Sequence, residues 1–303
     1  MHWFFITLLS PFLWGITNHI DKHLVSRYAK QVKYTSYIIS SGFFLAFAAI
    51  LIFIFKPAVI HLGFGYILLM ILAGCLGAIY LFPYYAAINL EEASVVVPMF
   101  QMVPILGFIF GYFLFKEQLS LVQIIAGIII IFGSIGLSFE LDKKVRLKWQ
   151  VFLLMLLSSL IISVQVVIYK FVAQHTDYWS TIFWLELGIV FFALCLLGVR
   201  DYRNNFLNAV VRQNKKIFLI IGINEVLSTT AAFIFYYAYL FLPIAVVQLV
   251  GSVQPLFVLV IGIIASIFIP TVIYENLNRK FLAQKIIFIV LILIGSYLLF
   301  NNL

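Results

Sequence analysis

Apolar runs of about twenty residues follow one another along nearly the whole chain, separated by short polar breaks. They fall at about 2–21, 34–55, 65–87, 93–115, 119–139, 150–174, 177–199, 217–240, 244–268 and 286–301. A helix that crosses a bilayer needs ~20 mostly apolar residues. A barrel strand needs ~10 residues of alternating polarity, and these runs neither alternate nor stop so soon. With no water in the hydrocarbon to satisfy the backbone, helices are the remaining solution. The pattern therefore predicts an all-α integral membrane protein with ten transmembrane helices.

Composition agrees and narrows the function. Of 303 residues, 65% are hydrophobic and 10% charged, with a mean hydropathy of +1.15. Soluble domains carry about 45–50% apolar and ~25% charged residues. A water-soluble fold of this size could not hide so much apolar surface, and a disordered chain would not carry it. The longest polar stretches, near 200–216 and 269–285, are too short for a nucleotide-hydrolysing or sensor domain. Neither a GxxxxGK[ST] loop nor an HExxH motif occurs, which argues against an ATP-driven pump, a resident metal or a cofactor. The first run lacks a cationic start and a small-residue cleavage site, so it is expected to be a retained helix. Cys75 and Cys195 fall in separate runs with no CxxC, and are expected to pack as small hydrophobes.

The net charge of +8 resolves into topology. Of 19 Lys and Arg residues, all but Lys56, Lys116 and Lys170 fall in the connections after the first, fifth, seventh and ninth runs, on one side of the membrane. The positive-inside rule puts that side in the cytoplasm and both termini outside. Contact with anionic lipid accounts for the excess, and no nucleic-acid partner is implied. The expected partners are the lipid bilayer of the cytoplasmic membrane and a small-molecule substrate, with monomer and homodimer both open.

The two halves resemble each other. Ala93-Ser-Val-Val-Val-Pro-Met-Phe-Gln-Met-Val-Pro104 parallels Ile244-Ala-Val-Val-Gln-Leu-Val-Gly-Ser-Val-Gln-Pro255. Pro104 with Pro255, and Gly111 with Gly262, share one spacing. Tyr84-Tyr85-Ala86 precedes the first copy and Tyr236-Tyr237-Ala238 the second. Ser10 and Lys22 match Ser158 and Lys170, and Gly133-Ser134 matches Gly295-Ser296. These landmarks divide the chain into a five-helix repeat at 1–140 and a second at 149–303. Because five is odd, the second copy is expected to be inverted, as in secondary transporters whose sites lie between the halves.

Certain motifs also point to a family. Leu13-Trp14-Gly15 with Lys22 eight residues past the tryptophan resembles the opening of an EamA-type unit. So do Tyr85-Ala86, Glu91-Glu92-Ala93-Ser94, Pro104, and Lys116-Glu117-Gln118-Leu119-Ser120 before a Gly-rich fifth run. The chain thus resembles a ten-helix member of the drug/metabolite transporter superfamily over nearly its whole length. The second half departs from the pattern, with Ile162-Ser163 in place of the Trp-Gly and Glu275 displaced. The resemblance implies a non-enzymatic transporter.

Polar groups at lipid depth are costly, so each asks for a reason. Glu186 near the middle of the seventh run and Glu225 in the eighth, beside Asn224, are the deepest carboxylates. The cost of a bare charge there suits them to hold a proton or a cationic substrate group, or to hydrogen-bond a neighbouring helix. Asn18 and His19 lie near the end of the first run. Asp21, Lys22 and Lys170 are candidate gate-end charges, with snorkelling the alternative for the lysines. Gln101, Gln165, Gln248 and Gln254 sit within apolar runs, three of them on the pair carrying Pro104 and Pro255. Trp14, Tyr84, Tyr85, Tyr236 and Tyr237 are candidate cavity walls. Glu91, Glu92 and Glu117 precede helices, where favouring the helix start explains them.

The expected function is a secondary transporter moving an amino acid, amine or similar small metabolite by alternating access, with proton coupling left open. The alternative is a membrane-embedded enzyme acting on a lipid or lipid-linked substrate. A channel or scaffold finds no filter motif or soluble module to support it.

Overall fold

The computed structural model describes residues 2–28, 34–90, 96–138, 149–208, 215–268 and 279–302. Among these residues there are helices, turns and no strand. In chain order the helices are α1 (His2–Tyr28), α2 (Tyr34–Phe55), α3 (Phe64–Ile79), α4 (Leu81–Leu90), α5 (Met102–Phe115), α6 (Leu121–Ser138) and α7 (Trp149–Ala173). Then come α8 (Tyr178–Gly198), α9 (Arg200–Phe206), α10 (Lys215–Ala238), α11 (Ile244–Gly251), α12 (Gln254–Phe268) and α13 (Arg279–Phe300). Among the described residues six stretches are long and apolar enough to cross a membrane: Tyr34–Phe55, Phe64–Ala87, Trp149–Ala173, Tyr178–Gly198, Phe218–Ala238 and Ile244–Ala265. The chain is a multi-pass membrane protein, and large side chains such as Phe47, Phe113, Phe132 and Leu219 stand exposed on its outer surface, where lipid would meet them.

Three of the apolar runs are not continuous helices. The run at 65–87 breaks at Tyr80 and resumes as α4. The run at 93–115 enters α5 through a 3₁₀ turn at Val97–Gln101. The run at 244–268 breaks at Ser252 and Val253 between α11 and α12. Proline explains two of these, because it has no N–H to return to the carbonyl four residues back. Pro83 follows the first break and Pro255 the last. In both, the carbonyl three residues before the proline accepts from a serine on another helix. Ser158 Oγ donates to the Tyr80 carbonyl at 3.0 Å, and Ser134 Oγ to the Ser252 carbonyl at 2.6 Å. Such hydroxyls are how broken helices remain tolerable at lipid depth.

The helices interleave across the chain's midpoint. α1 packs on α10, α11 and α12; α7 packs on α3, α4 and α5. α2 lies against α8 and α10, α3 against α7 and α8, α5 against α11, and α6 against α13. Between helices in lipid the hydrophobic effect gives little drive, so small residues that allow backbone contact matter more. The closest crossing is α3 on α8. A Cβ on Gly74 would stand 2.7 Å from the Gly188 Cα, and one on Gly188 would stand 2.9 Å from the Gly74 Cα. On α5, Gly107 and Gly111 are both buried, and Gly107 faces Ile244 and Gln248.

Replacing Gly188 by valine should therefore separate α3 from α8 and cost about 1–3 kcal/mol. Gly198→Ala, where an added Cβ meets no atom within 4 Å, should stay within about 0.5 kcal/mol of the parent. Thermal unfolding of the purified protein in one detergent compares the two.

Candidate functional site

A cavity of about 390 Å³ opens among α1, α2, α3, α4, α5, α7, α8, α10, α11 and α12. Helical periodicity selects its walls. On α1 the lining residues are Trp14, Thr17, Asn18, Asp21 and Leu24, one stripe at spacings of three and four. On α10 the stripe runs Ile221, Asn224, Glu225, Ser228, Thr229, Ala232, Phe235 and Tyr236, and Tyr239 continues it in the turn just past the helix. The two broken segments contribute Tyr80, Tyr84 and Tyr85 on one side and Gly251, Ser252, Gln254 and Pro255 on the other.

Of the cavity candidates singled out from the sequence, Tyr237 packs instead against Tyr178 with ring centroids 4.9 Å apart, and eleven line this one space: Trp14, Asn18, Tyr84, Tyr85, Gln101, Gln165, Glu186, Glu225, Tyr236, Gln248 and Gln254. His19 does not. It lies off the α1 stripe, 6% exposed, with Nε2 2.8 Å from the Val258 carbonyl on α12. Asp21 lies on the stripe and accepts from Asn224 Nδ2 at 2.8 Å. Glu225 accepts from Ser41 Oγ at 2.5 Å. Glu186 is 3% exposed, and its Oε2 has no hydrogen-bond partner. The three carboxylates interact electrostatically, Glu186 with Glu225 and Glu225 with Asp21. Among the described residues no group of three His, Cys, Asp or Glu side chains could hold a metal ion.

The cavity's lining runs from Leu24 on α1 and Tyr37 and Ile38 on α2 at one end to Tyr239 and Gln248 at the other, and Tyr169 and Lys170 beyond that second end are buried. Its floor is a layer of tyrosines and amides. Gln165 Nε2 donates to the Tyr236 hydroxyl, and Gln248 Nε2 to the Tyr239 hydroxyl at 2.5 Å. Tyr169 packs against Tyr236 with ring centroids 4.5 Å apart and is fully buried. Below them Lys170 Nζ pairs with Glu117 Oε1 and donates to the Leu242 carbonyl at 2.9 Å. Glu117 Oε2 accepts from the Ile244 N–H at 2.8 Å, satisfying an open donor at the start of α11. The side chains are only 6% and 13% exposed. A left-handed turn at Lys116, φ 57°, ends α5 just before Glu117.

Lys170 thus finds its partner in Glu117, which the sequence suggested only as a helix-start residue, and Asp21 sits in the cavity wall. The side chain of Lys22 lies outside the described residues, as do Glu91, Glu92, Glu275 and most of the basic connections. Tyr37, Ser41, Tyr80 and Tyr239 also line the cavity. The spacing of three from Tyr236 is the signal that could have found Tyr239; nothing in the sequence marked Ser41.

Residues 1–139 match the EamA-like transporter family, a domain of the drug/metabolite transporter superfamily. No curated protein matches the sequence. A crystal structure described only as that of a protein superposes with a TM-score of 0.73, covering 98% of this chain and 96% of the other at 15% identity. At that identity the likeness speaks for the fold alone.

Removing one partner of a buried ion pair leaves the other uncompensated, at a cost of about 3–5 kcal/mol. Lys170→Met should approach that range, while Lys170→Met with Glu117→Gln should lose less than the two single changes together. A double-mutant cycle on thermal unfolding measures the coupling.

Proposed function

We propose that this chain, with its EamA-like first half, is a secondary transporter. It moves a small metabolite such as an amino acid or amine across the cytoplasmic membrane by alternating access. The observation that carries the reading is one cavity lined by residues from both halves and sealed at one end. The reading takes the ten apolar runs as ten spans and the halves, 1–140 and 149–303, as inverted repeats. The packing supports it. Exchanging each run of the first half with its counterpart in the second turns the α1–α10 contact into α7–α3, and α2–α10 into α8–α3. The α2–α8, α5–α11 and α6–α13 contacts map onto themselves. The matching landmarks Gly133 and Gly295 lie on α6 and α13, where Gly133 meets Ile292 and Gly295 meets Ile130.

In this reading the cavity opens toward the side of the Lys- and Arg-rich connections, the cytoplasm by the positive-inside rule. The Lys170–Glu117 pair and the tyrosine layer then close the outer end. Opening that end requires the pair to part. Glu186 and Glu225 are the groups able to link transport to protons, because a carboxylate at this depth is stabilised by taking one up.

A thermal-shift screen against amino acids, amines, nucleosides and sugars should find a ligand, since a binder stabilises the native state by mass action. Proteoliposomes preloaded with that ligand should exchange it for labelled ligand outside. Binding with no exchange would overturn the transport reading. If protons are coupled, uptake should follow an imposed pH gradient, and Glu186→Gln or Glu225→Gln should remove that response. Gradient-insensitive uptake, unchanged in both variants, would overturn the coupling alone.

A further inference from the structure

We propose that the cavity binds an organic ammonium ion, with Glu186 as its anchor and the aromatic walls holding its apolar part. This rests on the reading above only in taking the cavity as the place a solute occupies. The first observation is the charge of the walls. Asp21, Glu186 and Glu225 line the cavity, and among the described residues no Lys, Arg or His does. Lys170 lies beyond the tyrosine layer and is already committed to Glu117 and Leu242.

The second observation is the pattern of unmet hydrogen bonds. Glu225 and Asp21 each have a donor, Ser41 and Asn224. Glu186 Oε2 has none, although the residue is buried against the cavity. Three more buried wall atoms are unpaired, Asn224 Oδ1, Gln101 Oε1 and the Tyr37 hydroxyl. The carboxylate and the two amide oxygens are acceptors, the hydroxyl can donate or accept, and a buried acceptor without a donor costs free energy that a ligand can recover. The Asn224 oxygen is fixed in that role, because its nitrogen donates to Asp21.

A ligand suited to these walls brings donors and positive charge together. A carboxylate ligand would meet three acidic side chains and no cation to pair with among the described residues. A neutral hydroxyl would meet one acceptor and leave the carboxylate uncompensated. A primary ammonium offers three N–H donors and a charge of the right sign. The rings of Trp14, Tyr80, Tyr84, Tyr85 and Tyr236 line the same space, and aromatic faces attract cations. Around Glu186 the ionisable neighbours are Glu225 and Tyr236 on α10 and Tyr178 on its own helix, none of which supplies a cation.

The test uses three probes of one shape and different charge: 2-phenylethylammonium, 2-phenylethanol and phenylacetate. Each is titrated calorimetrically into the full-length protein in lipid nanodiscs. The amine should bind at least about tenfold more tightly than the alcohol, and phenylacetate should not bind. Glu186→Gln should weaken the amine by about 10- to 100-fold and leave the alcohol unchanged, the size expected of a charge-assisted hydrogen bond in a buried site. The proposal is overturned if the alcohol or phenylacetate binds as tightly as the amine, or if none of the three binds. Undiminished amine affinity in a folded Glu186→Gln protein overturns it as well. Should that variant fail to fold, the probe series on the parent protein decides. Counterflow in proteoliposomes separates the two readings: an amine that binds and is not moved keeps the site and sinks the transporter, whereas a moved alcohol with no amine binding does the reverse.

Discussion

A charge away from water must be paired, hydrated or neutralised, and the two ends of this molecule answer that requirement differently. At one end Lys170 and Glu117 neutralise each other, with the remaining hydrogen-bonding atoms taken by Leu242 and Ile244. Toward the other end Asp21, Glu186 and Glu225 face an open space with no cation on its walls among the described residues. That asymmetry defines a floor and a mouth. It also divides the ionisable side chains of the bundle into those that hold the structure shut and those left to meet something from outside.

The cavity depends on the helices being broken where they are. Tyr84 and Tyr85 belong to the segment after the break at Tyr80, and Gln254 and Pro255 to the segment after the break at Ser252. A straight α-helix through either position would carry these side chains on a different course. Proline makes the break and a serine from another helix makes it tolerable, so Ser158 and Ser134 help shape a wall they do not line.

Much of this was legible in the sequence because hydropathy and helical period act locally. The runs at 34–55 and 177–199 differ from α2 and α8 by no more than a residue at either end. Glu186 and Glu225 stood out because nothing nearby in sequence could compensate them, and both line the cavity. The break at Tyr80 was hidden, since a window of apolar residues averages over a kink, whereas Pro255 permits a bend beside Ser252. His19 was misplaced by proximity: it neighbours Asn18 in sequence, yet one residue turns about 100° on a helix, toward Val258. The Lys170–Glu117 pair could not be read at all. Its members lie 53 residues apart, and only the crossing of α5, α7 and α11 brings them together.

The contacts of the sealed end are also of a kind that water can replace. The bonds from Gln165 to Tyr236 and from Gln248 to Tyr239 join groups that hydrate well. Exchanging such a bond for bonds to water changes free energy by only about 1 kcal/mol. An ion pair admitted to water likewise keeps little of its Coulomb energy and loses little by separating. The Gly74–Gly188 crossing is different. It is backbone against backbone, with the Cys75 thiol donating to the Gly188 carbonyl at 3.5 Å, and water entering there would mostly replace packing with nothing of equal value. An alternating mechanism built on this bundle would therefore keep the α3–α8 crossing intact as its pivot and exchange the tyrosine–amide layer and the ion pair for water. For such a mechanism, the division between glycine contact and wettable polar seal would mark the moving parts more sharply than the outline of the cavity does.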